Sequence, residues 1–214
     1  QWDVEEHPAL SNSYLVNSPY GKEHYTKNGY KESALIECEA LRYQRVSLLH
    51  KEQKEQKDKS NSLLVFLDYS PSYTNDMMKF LQDYEYLHPN KYNYVFKPHI
   101  NSPIYLSNYN FQSAKIFNGD INIALDDHNI CLCSNMTSAQ VDAYTYGLKV
   151  LVFHDGRNLN LSPMSNNKEV HFIHSFKDFE REMIMSIGFK KIAKDYFYKN
   201  KNLQKWSSIL FDKV

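Results

Sequence analysis

The sequence is poor in glycine, poor in cysteine and empty of net charge. Six of its 214 residues are glycine. Gly21, Gly29, Gly119, Gly147, Gly156 and Gly188 are spaced neither as GxGxxG nor as a Walker-type GxxxxGK, which excludes a standard dinucleotide fingerprint and a P-loop. The three cysteines, Cys38, Cys131 and Cys133, are too few for a disulfide framework and suit the reducing cytosol. Cys131 and Cys133 sit two apart in an apolar stretch and so share one face of a strand. With no other Cys- or His-rich cluster near them in sequence, they read as buried, reduced thiols rather than as a metal pair. Lys+Arg is 25 and Asp+Glu is 25, a formal net charge of +0, so the chain lacks the global attraction that nucleic-acid binders use. No apolar run approaches the roughly 18 residues of a membrane span. The chain opens on Gln1-Trp2-Asp3 with no signal-peptide pattern, and a fragment of a longer protein is expected.

What is present is ordinary globular material: 42% hydrophobic and 23% charged residues. On about 150 residues per domain, the length allows one full domain and part of another. The first block holds a strand at Ser13–Asn17, a helix from Gly21 to Asn28 stopped by Gly29, and a strand at Ala34–Cys38. Lys51–Ser60 (KEQKEQKDKS) has no apolar residue and reads as a solvated linker, with a boundary near residue 58. Beyond it strands and helices alternate. Strands are expected at Leu63–Tyr69, Tyr92–Lys97, Ile121–Leu125, Ile130–Cys133, Val150–Phe153 and Val170–His174. Helices are expected at Thr74–Leu87 with Thr74 as N-cap, at Ser138–Tyr146 stopped by Gly147, and at Lys177–Ile187, with the remainder helical to Phe211. Ser107–Ala114 reads as loop or short helix. Near-continuous apolar strands alternating with helices predict an α/β fold, Rossmann-like and three-layered, with a mainly parallel sheet.

In such sheets ligands sit outside the carboxyl ends of the strands. Four segments there carry polar side chains: Asp68-Tyr69-Ser70, Lys97-Pro98-His99, Ser134-Asn135-Met136-Thr137-Ser138, and His154-Asp155-Gly156-Arg157. Together they offer a cation, an imidazole, hydroxyls and a helix start, an inventory suited to a phosphate-bearing ligand. Taken singly, each has a structural reading: Ser134–Ser138 as a capping segment, Lys97-Pro98-His99 as a strand-end turn, Asp155-Gly156 as a turn signal. Asp126-Asp127-His128 is three consecutive loop residues and reads as no metal site. The 17 tyrosines and 12 phenylalanines are spread along the chain and read as core rather than as a base-stacking platform.

As a set, these motifs resemble the C-terminal, donor-binding half of a GT-B-fold glycosyltransferase, in which two Rossmann-like domains face each other across a cleft. The similarity is nearest to bacterial surface-carbohydrate biosynthesis proteins and looser to bacterial sialyltransferases and capsule enzymes. Lys97-Pro98-His99 resembles the His-Pro region. Asn135–Tyr144 with Gly147 resembles the nucleotide-phosphate loop and its helix, and Asn160-Leu161-Ser162-Pro163-Met164 the loop after the next strand. Val16-Asn17-Ser18, Gly29-Tyr30 and Glu39–Tyr43 resemble the connection between the halves. There are departures: Ile100 stands where the motif's second proline would be, and Asp142 is the nearest acid where retaining members carry two glutamates.

The resemblance implies residues 1–58 as the remnant of the N-terminal domain and connection, and 59–214 as the nucleotide-sugar-binding domain with its C-terminal helices. It implies donor phosphate and nucleotide contacts from Ser70, Lys97, His99, Ser134, Asn135, Thr137, Ser138 and Asp155. Arg42, Asp142, Asn160 and Ser162 would contact ribose or sugar. The nucleotide sugar is then substrate, with no cofactor and no metal. The partners implied are a carbohydrate acceptor and the missing N-terminal domain, with no nucleic acid. The location is cytoplasmic, with peripheral association at the inner face of the membrane. No catalytic base is assigned, because inverting members carry it in the other half, and the fragment alone is expected to be inactive. Two other readings stay open. One is a GT-B-fold sugar-nucleotide epimerase. The other is a non-catalytic interaction module using Lys51–Ser60 and the apolar Tyr196, Phe197, Trp206 and Phe211, a tail that could instead cross back to the other domain.

Overall fold

The computed structural model describes residues 13–44, 61–187, 189 and 195–211. In chain order the elements are β1 (Tyr14–Val16), α1 (Pro19–Lys27), β2 (Leu35–Glu37), β3 (Ser62–Phe66), α2 (Pro71–Leu87), β4 (Asn93–Lys97), β5 (Ala114–Ile116) and α3 (Ile121–Asp126). There follow β6 (Ile130–Ser134), α4 (Ala139–Thr145), β7 (Lys149–Phe153), β8 (His171–Ile173), α5 (Phe176–Ile184) and α6 (Gln204–Phe211). The chain divides into two compact units, Gln1–Lys54 with Asp195–Val214, and Glu55–Lys194. The charged stretch at residues 51–60, the boundary expected within it and the opening Gln1-Trp2-Asp3 lie outside the described residues.

The smaller unit contains a βαβ turn. β1 and β2 pair in parallel with Tyr14 opposite Leu35. α1 starts two residues earlier than expected, at Pro19. Ser18 caps it, its hydroxyl accepting the Gly21 N–H at 2.9 Å, and proline is pre-shaped for the first helical position. Gly29, at φ 88°, supplies the left-handed residue that ends it. The tail differs from expectation: only α6 is helical between 195 and 211, and this segment belongs with the smaller unit rather than with the sheet domain. Backbone bonds tie it there, from Tyr198 N–H to Asn17 O and from Ala40 N–H to Tyr198 O, both 2.9 Å. The buried Glu39 carboxylate accepts the Lys205 and Trp206 N–H groups at 2.9 and 3.1 Å, a charged cap on the positive end of α6. Tyr196 stacks on Tyr20 and Phe197 on Tyr43, with centroids 4.6 and 3.9 Å apart, so two of the apolar tail residues are engaged while Phe211 stays exposed.

The larger unit is built on a six-stranded sheet of order β5-β4-β3-β6-β7-β8, parallel throughout. Alternate residues of each strand point to opposite faces. Leu63, Val65, Leu132, Leu151, Phe153 and Ile173 join a core with α2 and α5, while Leu64, Phe66, Cys131, Cys133, Val150 and Val152 are buried on the other face. α2 contributes Tyr73, Met77, Leu81 and Tyr84 at helical spacing, each apolar side chain stabilising the layer by about 1.5–3 kcal/mol. The crossovers β3-α2-β4 and β6-α4-β7 move in opposite directions across the sheet, and right-handed connections then put their helices on opposite faces.

Three local expectations are corrected. Ile121–Leu125 is the helix α3 and not a strand: Asp120 caps it by accepting the Asn122 N–H at 2.7 Å, and the Asp127 N–H closes its last turn on the Ile123 carbonyl at 3.1 Å. The strand on that side is β5, within and beyond a stretch read as loop or short helix; three residues are too few for periodicity to show. Thr74 does not cap α2, which begins three residues earlier at Pro71. Its hydroxyl serves the turn leaving β3 instead.

Candidate functional site

Because the six strands are parallel, their carboxyl ends share one rim. The strand order reverses between β3 and β6, since the chain leaves β3 toward β4 and leaves β6 toward β7 on the other side. That reversal opens a crevice in which doubly wound folds bind ligands. Asp68–Ser70 and Ser134–Ser138 flank it.

On the β3 side the Asp68 N–H donates to Thr74 Oγ1 at 3.1 Å, and that hydroxyl donates to the Asp68 carbonyl at 2.9 Å. The Asp68 side chain is thereby fixed: Oδ1 accepts the Ser70 N–H at 2.8 Å, while Oδ2 is buried without a hydrogen-bond partner. Ser70 Oγ lies 3.0 Å from Ser72 Oγ.

On the β6 side Gln140, fully buried on α4, organises two loops. Its amide N–H groups donate to the Ser134 and Asn135 carbonyls at 2.6 and 3.0 Å. Its Oε1 accepts the Ser162 hydroxyl at 2.6 Å, and Ser162 Oγ accepts the Met164 N–H at 3.0 Å. Asn135 Nδ2 donates to the Leu159 carbonyl at 2.7 Å, so the loop after β7 is laced to the loop after β6. Ser134 Oγ and Asn135 Oδ1 are buried without partners. Thr137 Oγ1 accepts the Ala139 N–H at 3.3 Å, and Ser138 is exposed with no side-chain cap bond.

β7 and β8 bring two imidazoles together. His154 Nδ1 accepts the Gly156 N–H at 3.1 Å, so a neutral ring carries its proton on Nε2, which is buried and unpartnered. His174 Nδ1 donates to the His154 carbonyl at 2.7 Å, and the two ring centroids are 5.3 Å apart. Asp155 is turned over to Arg157, whose Nε lies 2.7 Å from Oδ2 and whose other nitrogen reaches Asp76 at 3.1 Å. Burial pushes the Asp155 carboxyl up, but the hydrogen bonds and charge of Arg157 outweigh it and hold it below the usual range. Asp155 is therefore committed to a cation on the rim.

On the β4 side His99 is exposed at the same rim, its ring 6.3 Å from that of Tyr69. Its Nδ1 accepts the Asn101 N–H at 3.2 Å, which leaves Nε2–H as a free-standing donor in the neutral ring. β4 and β6 are two strand spacings apart, about 10 Å.

The fold thus places Ser70, His99, Ser134, Asn135, Thr137, Ser138, Asp155, Asn160 and Ser162 on the carboxyl rim or the loops above it. Ser162 acts there as a clamp on Gln140, and Asn160 Oδ1 accepts the Ser162 N–H at 3.1 Å. Lys97 is drawn away: its ammonium donates to the Gly119 carbonyl at 2.8 Å and lies 5.5 Å from the centre of the Phe117 ring. Asp142 is buried on α4, and Arg42 belongs to the smaller unit, its guanidinium 5.5 Å from the centre of the Tyr43 ring. Asp68 and His154 stood in the strand-end segments that the sequence marked, and Gln140 within the Asn135–Tyr144 stretch, but none of the three was given a role, and His174 was not considered beyond ending a strand. Position after a strand end is the signal that flags Asp68, His154 and His174, and nothing local marks Gln140 as a clamp.

The other candidates have structural employment. Cys131 and Cys133 lie on one buried face with sulfurs 3.7 Å apart. His128 Nδ1 bonds the Ala124 carbonyl at 2.7 Å, and Tyr146 donates to Asp126 Oδ1 at 2.6 Å. Among the described residues no group of three or more His, Cys, Asp or Glu could hold a metal ion.

No protein-family model matches the chain. No curated protein matches it either. Solved structures do match. The chain is similar to the UDP-GlcNAc 2-epimerase of Methanocaldococcus jannaschii, solved with UDP-GlcNAc and UDP, at 12% identity and a TM-score of 0.65 over 94% of this chain and 61% of the epimerase. It is similar to the Neisseria meningitidis UDP-GlcNAc 2-epimerase bound to UDP-GlcNAc, at 11% identity and 0.54 over 84% and 53%. It is also similar to a calicheamicin glycosyltransferase, at 10% identity and 0.52 over 85% and 45%. The chain therefore spans about three fifths or less of the structures it matches. At these identities the likeness establishes a GT-B-like fold, with the parallel sheet as a Rossmann-like half.

Proposed function

We propose that the larger unit binds a nucleotide sugar in the crevice between the ends of β3 and β6, as the C-terminal, donor-binding half of a GT-B-fold glycosyltransferase. The observation that carries this reading is the grouping of four buried, unpartnered polar atoms at one rim: Asp68 Oδ2, Ser134 Oγ, Asn135 Oδ1 and His154 Nε2. Leaving such an atom unpaired costs about 1–3 kcal/mol, and groups of them call for an explanation. A polyhydroxylated, phosphate-bearing ligand supplies what they lack. Sugar or ribose hydroxyls donate to Asp68 and Asn135, and phosphate oxygens accept from His99 Nε2–H, Ser134, Thr137 and Ser138.

In transfer, an acceptor hydroxyl attacks the anomeric carbon as the glycosyl–phosphate bond breaks, and negative charge builds on the leaving phosphate. N–H and O–H groups fixed at that position stabilise the charge as it develops. In this reading they do so in place of a metal ion. The acceptor is a carbohydrate of bacterial surface-polysaccharide assembly, and the base that takes the hydroxyl proton comes from an N-terminal domain of the same protein. In this reading the work is done in the cytoplasm, at the inner face of the membrane.

A second reading, a sugar-nucleotide epimerase, is favoured by one observation: the match that spans 94% of the chain is to an epimerase, against 85% for the calicheamicin glycosyltransferase. Product analysis without an acceptor separates them, since only the epimerase releases its product alone. Titration calorimetry of the full-length protein with a nucleotide panel that includes UDP and CMP tests the shared premise. His99→Ala and Thr137→Ala should each weaken binding by about tenfold, a loss of about 1.4 kcal/mol. Absence of binding by every nucleotide, or binding indifferent to both substitutions, overturns it.

A further inference from the structure

We propose a second binding site, independent of the crevice: a groove at the amino edge of the sheet that takes a small organic cation, an alkylammonium or guanidinium, on the Glu85 carboxylate. α2 leaves the carboxyl rim at Ser70 and runs back along the sheet, so Glu85 stands about 22 Å along the helix from that rim. Its last turns carry Gln82, Glu85, Tyr86 and, just beyond the helix, Pro89, at spacings that share one helical face. With the segment at 110–112 they line an open groove of about 650 Å³.

Glu85 is 3% exposed. Its Oε1 accepts the Gln112 N–H at 3.0 Å, and its Oε2 is buried with no hydrogen-bond partner. A single backbone N–H compensates poorly for enclosing a carboxylate, which needs an opposite charge as well. None of the groove's lining residues is basic, and a second carboxylate, Asp83, stands at its margin. The negative charge reaches further: burial and then Glu85 hold the Tyr94 phenol of β4 above its ordinary range. Two aromatic residues, Tyr86, 87% exposed, and Phe111, are also among its lining. A carboxylate in a groove that also carries aromatic side chains suits an organic cation, through a charge-assisted hydrogen bond and cation–π contact. A hard divalent ion favours several converging carboxylates, and among the described residues no group of three or more His, Cys, Asp or Glu could hold a metal ion.

Titration calorimetry of the full chain with spermidine and with agmatine tests the site, with magnesium chloride as a third titrant. At least one amine should bind. Glu85→Gln, which keeps an oxygen for the Gln112 N–H, should weaken that binding more than about tenfold, and Tyr86→Ala about threefold. Nucleotide binding at the carboxyl rim should be unchanged in both variants. The proposal is overturned if neither amine binds, if magnesium alone binds, or if Glu85→Gln leaves amine affinity as it was. Tyr86 is almost wholly in solvent, so Tyr86→Ala reports on the groove even if Glu85→Gln loosens the fold.

Discussion

Ser162 and Gln140 are 22 positions apart in sequence, and the Ser162 hydroxyl donates to Gln140 Oε1 across 2.6 Å. The same Gln140 amide donates to the Ser134 and Asn135 carbonyls. One buried side chain thus holds the loop after β7 against the loop after β6, and these loops form one wall of the crevice.

Gln140→Leu keeps the volume and removes all three bonds. Two carbonyls and a hydroxyl are then left buried without their partner, at about 1–3 kcal/mol each before relaxation. Urea unfolding should show a loss of about 2–4 kcal/mol with the slope unchanged, and nucleotide affinity should fall with it. An equally stable variant would show that the clamp is dispensable.

Glu37 predicts a pH dependence of the smaller unit. A hydrogen bond from Lys205, assisted by Lys22 at 3.2 Å and opposed by burial, holds the Glu37 carboxyl down to about 2 from the ordinary 4.5. The folded value lies below the unfolded one, so the stabilisation is complete above pH 4.5 and drains away as pH falls toward 2. Partial exposure screens it to about 1 kcal/mol. Glu37→Gln should cost that much at pH 7 and progressively less below pH 4.5; a gap that stays constant down to pH 3 contradicts the assignment.

Lys149 and Glu182 form a buried ion pair at 3.1 Å, joined by His171 at 3.3 Å and Arg181 at 3.0 Å. Burial pushes the Glu182 carboxyl up, but Arg181 and Lys149 more than reverse it. Lys149→Met strands part of that charge and should cost about 3 kcal/mol. Adding Glu182→Leu should recover at least half of the loss in a double-mutant cycle. Strictly additive losses would mean the pair is not coupled.

The thiols should be inert in the native state. Burial, then contact with Cys131, pushes the Cys133 thiol well up, and burial raises Cys38 as well. Reaction with an aromatic disulfide reagent should follow the rate of unfolding. Fast labelling of either residue in native buffer contradicts this.

Much of the larger unit was legible because its signals are local. Apolar runs marked β3, β4, β6 and β7, the amphipathic Thr74–Leu87 stretch marked most of α2, and Gly147, at φ 89°, closes the α4 turn. Ile121–Leu125 misled because its alternation mimics a strand, and the Asp120 cap that makes it a helix is a single hydrogen bond. β5 was too short to read.

The sequence alone determined the α/β class, the parallel sheet and which segments would lie at the strand ends, since these follow from periodicity and chain order. Tertiary structure decided which of those residues meet. The order β5-β4-β3-β6-β7-β8 sets the crevice between β3 and β6, sends the Lys97 ammonium to Gly119, recruits Gln140 as a clamp and assigns the tail to the smaller unit. These depend on pairings between residues tens of positions apart, whose partners are chosen by packing of the whole sheet and leave no mark on the neighbouring sequence.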